Sequence, residues 1–93
     1  MNEEKIILVT GGTRGIGLAV SLAFLDRGFR VYAAYSADEE SAAAAREKGI
    51  CAIRADVSEE KEVKALFAGT GVPDVLVNNA GISLFRQIQD TTA

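Results

Sequence analysis

Short apolar runs alternate along this chain with longer mixed runs. KIILVT (residues 5–10) is apolar and β-branched without alternation, the pattern of a strand buried on both faces. GIGLAVSLAFLDRG (15–28) is apolar nearly all round and stops at Arg27 and Gly28, which predicts a helix packed deeply on a sheet. RVYAAYS (30–36) reads as a second strand. SADEESAAAAREKG (36–49) reads as a helix with a thin alanine face, opened by Ser36 and Glu39 at capping-box spacing and closed at Lys48-Gly49. ICAIRAD (50–56) is a third strand. SEEKEVKALFAG (58–69) is a shorter helix with Ser58 as its N-cap and Glu59 and Glu60 at its positive end. DVLVNNAG (74–81) is a fourth strand with the loop beyond it, and the tail ISLFRQIQDTTA shows no settled period.

The order β-α-β-α-β-α-β makes each helix a crossover between parallel strands. The simplest sheet is ordered 3-2-1-4, the first part of a doubly wound, Rossmann-type α/β fold. Ligands in that architecture lie beyond the C-terminal ends of the strands, where the strand order reverses. Here that point falls between the first and fourth strands, and each leads into an unusual loop: TGGTRGIG and NNAG.

Composition narrows the function classes. At 93 residues the chain holds one domain, and its composition, 48% hydrophobic and 25% charged, is globular. A net charge of −3 argues against a nucleic-acid partner, which needs a basic face. There is no histidine, so the commonest general base and metal ligand is absent from the sequence, and no metal set is assigned. The single cysteine, Cys51, forms no intrachain disulfide and is expected to be a small buried hydrophobe in a reducing compartment. Acids stand at the N-terminus where a signal peptide needs basic residues, and no apolar stretch reaches membrane-span length; the expected place is the cytoplasm, away from any membrane.

The loop VTGGTRGIG (9–17) carries four glycines in nine residues. A chain that leaves a strand and enters a helix so abruptly needs positive φ, and a backbone without Cβ can approach a ligand closely. A helix starting near Gly15 offers unpaired N–H groups and the positive end of its dipole, a seat for pyrophosphate. Gly17, inside the helix, is expected to allow tight packing on the sheet. The alternative is a glycine-rich turn with no ligand. The spacing is G-x-x-x-G-x-G rather than G-x-G-x-x-G, and no Lys-Ser or Lys-Thr follows, which excludes a P-loop.

With these residues the sequence resembles the short-chain dehydrogenase/reductase family. Thr10-Gly11-x-x-x-Gly15-Ile16-Gly17 matches its cofactor motif, Asn78-Asn79-Ala80-Gly81 its second signature, and Asp56-Val57 the pair that ends its third strand. GGTRGIG and NNAGIS are similar to the 3-oxoacyl-carrier-protein reductase branch. The resemblance implies a nicotinamide dinucleotide as cofactor. The backbone of Gly11, Gly12, Thr13, Arg14, Gly15 and Ile16 would hold the pyrophosphate and nearby ribose. Asp56 would bond the adenine amino group beside the backbone of Val57. Asn78, Ala80 and Gly81 would line the ribose side, while Thr10 and Asn79 tie the two loops together. Turn-forming roles remain open for Asp56, Asn78 and Asn79.

NAD readers place an acid at the end of the second strand to bind the ribose 2′-hydroxyl. Here that end is Tyr35-Ser36, while Asp38 and Glu39 read as first-turn helix residues. Arg14 precedes Gly15, beside the place of a 2′-phosphate. NADP(H) is therefore expected over NAD(H), with Arg14 as a solvated surface charge the alternative.

The family's chemistry, hydride transfer between nicotinamide and a small carbonyl or alcohol substrate, needs Tyr-x-x-x-Lys, a serine and a relay asparagine. Four residues after Tyr32 stands Ser36, and four after Tyr35 stands Glu39. No catalytic residue is assigned, Ser83 merely follows the second signature, and the 93 residues are expected to be inactive alone, as if truncated before the catalytic half. The third helix is short for the family, which leaves its packing open. The fourth strand should present an apolar edge, so a homo-oligomer is expected. A non-catalytic nucleotide-binding or interaction module is the competing reading.

Overall fold

A computed structural model describes residues 4–79. Four strands and three helices alternate: β1 (Ile6–Thr10), α1 (Gly15–Asp26), β2 (Arg30–Tyr35), α2 (Glu39–Glu47), β3 (Cys51–Arg54), α3 (Glu60–Thr70) and β4 (Val75–Val77). The sheet is parallel, ordered β3-β2-β1-β4, with Ile7 opposite both Val31 of β2 and Val75 of β4. This is the Rossmann-like order expected from the sequence.

Side-chain alternation along the strands divides the core in two. Ile7, Val9, Val31 and Ala33 are buried on one face with Ala45 and Ile50, and Leu18, Phe24 and Leu25 pack against them. Leu8 and Ala34 are buried on the opposite face with Ala55 and Leu66. The short α3 therefore does cover its side of the sheet: Val63 and Leu66 are buried, while Tyr32, Ile53 and Leu76 beneath it are half-buried. Asp74 clamps the start of β4 to β1, accepting from the Ile6 amide at 2.8 Å and donating its own amide to the Ile6 carbonyl.

Four expectations are corrected. α1 is not deeply buried; only Gly17 and Ser21 are fully enclosed, and its leucines are half-exposed. Small residues let its backbone come close at one end, and its larger side chains lie at the rim of the core. Cys51 is exposed rather than buried, because β3 is an outer strand among the described residues and Cys51 is its first residue. α2 is capped by Asp38, not Ser36, because the Asp38 carboxylate accepts the Ser41 amide at 3.0 Å. α3 starts after Glu59, not at Ser58; Ser58 instead bonds back to Asp56 and closes a turn ahead of the helix.

Candidate functional site

β1 ends at Thr10, and the chain turns through residues 11–14 before α1 begins at Gly15. Gly11 and Gly15 take φ of +65° and +61°, and the Gly11 amide stays tied to the Ala34 carbonyl at 2.8 Å. Gly12 lies so close to Val9, Ala33 and Ser21 that a Cβ there would meet Ser21 Oγ at 2.8 Å. At Gly17 a Cβ would overlap the Gly11 carbonyl oxygen and approach Asn79 Nδ2 to 2.9 Å. Gly17 thus permits α1 to close on its own entry loop and on the loop after β4, rather than on the sheet as the sequence suggested. Ser21 completes the joint by donating its buried hydroxyl to the carbonyls of Gly12 and Gly17 at 3.0 and 2.9 Å.

The two loops expected to meet do meet. Thr10 Oγ1 lies 3.3 Å from Asn78 Oδ1 and 3.5 Å from the Val77 carbonyl, and Asn79 Nδ2 donates to the Gly11 carbonyl at 3.4 Å. Beside this junction opens a hollow of about 630 Å³. Gly11, Thr13, Arg14, Gly15 and Ile16 wall it on the α1 side, Tyr35 and Ser36 on the β2 side, and Asn79 at the β4 end. A second hollow of about 180 Å³ shares Gly11, Tyr35 and Ser36 and continues to Asp56 and Val57. Of the residues singled out in the sequence, Gly12 and Gly17 lie behind the loop as packing positions. Asn78 is engaged with Thr10, and Ala80 and Gly81 lie outside the described residues.

Charge is distributed to suit an anion. The start of α1 has no acid in its first turn and no side-chain cap, whereas α2 and α3 each carry two acids there. The first N–H groups of a helix have no partner within it and carry the positive end of its dipole. Arg14, at the N-cap position, adds an exposed guanidinium at the same mouth.

Asp56 has a structural task of its own. Its Oδ1 accepts the Ser58 amide at 3.0 Å and the Ser58 hydroxyl at 2.5 Å, and these bonds, the hydroxyl's first, hold its pKa below the usual aspartate value. It is the turn carboxylate that the sequence left open, and it also lines the smaller hollow. The Tyr35 hydroxyl is likewise committed. It donates to Glu39 at 2.8 Å and accepts from Arg46 at 3.2 Å, so the ring contributes shape rather than a free hydroxyl.

One residue at the mouth escaped the sequence reading. Asp38 lines the larger hollow and pairs with Arg14, Nη1 to Oδ2 at 3.3 Å. The signal was present: an acid about twenty residues past the glycine loop is where dinucleotide folds meet the ribose. It was masked because an acid at that place also reads as a first-turn helix residue, favoured at the positive end of the helix dipole.

Comparison with known proteins follows the same lines. The family model for short chain dehydrogenases matches residues 5–93. An acetoacetyl-CoA reductase of Shinella zoogloeoides is 40% identical over 85 residues, covering 86% of this chain and 35% of its own. A 3-oxoacyl-[acyl-carrier-protein] reductase of Staphylococcus aureus strain Mu50 is 41% identical over 93 aligned positions, covering 89% of this chain and 38% of its own. Among solved structures, a Pseudomonas aeruginosa RhlG/NADP active-site complex superposes with a TM-score of 0.67 at 38% identity, covering 84% of this chain and 34% of that one. The chain thus spans little more than a third of the length of these relatives.

Proposed function

The chain belongs to the short-chain dehydrogenase/reductase family, and from that premise we propose that it is the cofactor-binding part of an oxidoreductase acting on a small carbonyl or alcohol substrate. In this reading residues 1–93 are one dinucleotide-binding domain of a cytoplasmic, oligomeric enzyme. When bound, the nicotinamide cofactor supplies the hydride that is exchanged with the substrate carbon.

This chain's residues bind and orient. The uncapped start of α1 offers N–H groups to the pyrophosphate, and the absence of first-turn acids spares it a repulsion. Asn79, bonded to the Gly11 carbonyl, keeps the β4 loop against the glycine loop, so both walls of the seat stay in register. Asp56, held ionised by Ser58, is an acceptor for an exocyclic amino group in the smaller hollow. Tyr35, fixed by Glu39 and Arg46, keeps the partition between the two hollows in place. NADP(H) is the preferred cofactor in this reading, since Arg14 faces the larger hollow and a charge-assisted bond to phosphate contributes about 1.5–3 kcal/mol. The NADP named with the Pseudomonas aeruginosa structure is consistent with it.

The chain has no Tyr-x-x-x-Lys, so we propose that these 93 residues bind the cofactor without turning substrate over. The observation that carries the reading is the hollow between the glycine loop and the end of β2, with Asn79 at its β4 end and no acid on its α1 side. Calorimetric titration tests it. Saturable one-to-one binding of NADP⁺ is expected, tighter than NAD⁺, with the difference shrinking in Arg14→Ala. No heat from either nucleotide at millimolar concentration would overturn the assignment.

A further inference from the structure

Gly11, Tyr35 and Ser36 wall both hollows, so a ligand that spans the two passes these residues. Each wall residue needs a hold. The Gly11 amide is tied to the Ala34 carbonyl, and the Tyr35 hydroxyl to Glu39 and Arg46. Ser36 is held differently. It lies just past the end of β2, and both it and Ala37 are exposed, so packing does little to fix them. Its hold comes from β3. Tyr35 and Arg54 are the last register pair of the β2–β3 ladder, and the Tyr35 carbonyl accepts the Ala55 amide at 2.8 Å. One residue further on, the Ser36 carbonyl accepts Arg54 Nε at 3.0 Å. A side chain thus supplies the next rung where the strand ladder ends. Arg54 itself is exposed and belongs to the wall of neither hollow.

We propose that Arg54 is a positioning residue for the adenosine end of the cofactor, acting through the Ser36 carbonyl to hold the wall that the two hollows share. This inference rests on the cofactor reading above, in which the nucleoside reaches from the start of α1 to Asp56. A free, exposed connection must be ordered when a ligand settles on it, and that entropy is subtracted from the affinity. The Arg54 bond orders the connection beforehand. Its effect is local, because the bond lies at the surface and α2 has its own cap in Asp38. Arg54 also carries a charge, and a cation attracts an anionic ligand without positioning anything. The two actions are separable, since the first needs a donor at one atom and the second needs only the charge.

Glutamine carries its amide nitrogen as many bonds from Cα as arginine carries Nε. Arg54→Gln therefore keeps a donor for the Ser36 carbonyl and removes the charge, while Arg54→Met keeps a stem of similar length and removes both. The probes are 5′-AMP, which meets the shared wall, and inorganic pyrophosphate, which needs only the start of α1. Each is titrated by calorimetry into the 93-residue chain and the two variants, at about 0.15 M salt to screen exposed charges. The affinity for 5′-AMP is expected to fall about three- to tenfold in Arg54→Met and to be restored in Arg54→Gln. Pyrophosphate affinity should be the same in all three proteins. An equal loss of 5′-AMP affinity in both variants would make Arg54 a source of charge alone and overturn the inference. So would an unchanged affinity in Arg54→Met, or a parallel loss of pyrophosphate there with a lowered urea midpoint, the mark of a merely structural role. Each of these outcomes leaves the cofactor reading standing. Failure of either probe to bind the unaltered chain overturns both.

Discussion

Gly17 has no room for a methyl group. The Gly11 carbonyl and Asn79 occupy the space on its open side, and neither can retreat, since the Gly11 amide is tied to Ala34 and Asn79 is bonded to that carbonyl. Gly17→Ala should therefore force α1 away from the entry loop. Overpacking of this kind costs about 1–3 kcal/mol, and the nucleotide seat would open with it. A lowered urea midpoint together with lost NADP⁺ binding is the expected result; a midpoint and an affinity both unchanged would contradict the account of the joint. This glycine was legible as a packing position, yet its partner was not, because spacing reports that a backbone approaches something without naming what. Asp38 shows the converse. Its reading as a first-turn helix acid concealed both its cap and its place at the hollow, since one carboxylate serves both and only the three-dimensional path of the Arg14 side chain brings the two together.

The elements followed from pattern more surely than their ends did. β1 and β2 are buried on both faces at their centres, so apolar runs without alternation identified them, and one short crossover after another left little choice of strand order. Caps were harder. Ser36 and Ser58 each stand where an N-cap is plausible, but a nearby aspartate accepts the better bonds in both places. Asp38 takes the Ser41 amide and hydroxyl, and Asp56 takes those of Ser58. These two turns hold the C-terminal ends of β2 and β3 to the helices that follow, and both have a consequence for pH. Each carboxyl has a folded-state pKa below its unfolded value, so each stabilises the fold above the unfolded value of about 3.9. That contribution is lost as pH falls through the lower, folded-state values. Urea midpoints should thus hold steady from neutrality to about pH 5 and decline below about pH 4. The decline should be shallower in Asp38→Asn, which has no such proton to take up. An acid limb identical in the two proteins would show that the Ser41 bonds add nothing to folding.

At the scale of the whole molecule the sheet has two ends of unequal character. β3 finishes one side with exposed Cys51 and Arg54, and Arg54 donates to the Ser36 carbonyl at 3.0 Å, so that side is polar and partly occupied. β4 finishes the other with Val75, Leu76 and Val77, all half-buried, and among the described residues no strand pairs with its outer edge. A short apolar edge with unpaired amides and carbonyls is a template for another strand. The proposed dinucleotide seat reaches the β4 loop through Asn79, so whatever pairs with β4 also steadies that end of the hollow. Association and cofactor binding should accordingly be coupled. Sedimentation of the 93-residue chain is expected to show a mass that rises with concentration above the 9.8 kDa monomer, and NADP⁺ should strengthen that rise. Leu76→Lys places a charge at the edge while its methylene stem still covers the sheet face, which should return the chain to monomer with β1 and β2 intact. A chain that stays monomeric at high concentration with and without NADP⁺ would mean that the β4 edge is not a contact surface and that the hollow is rigid without one.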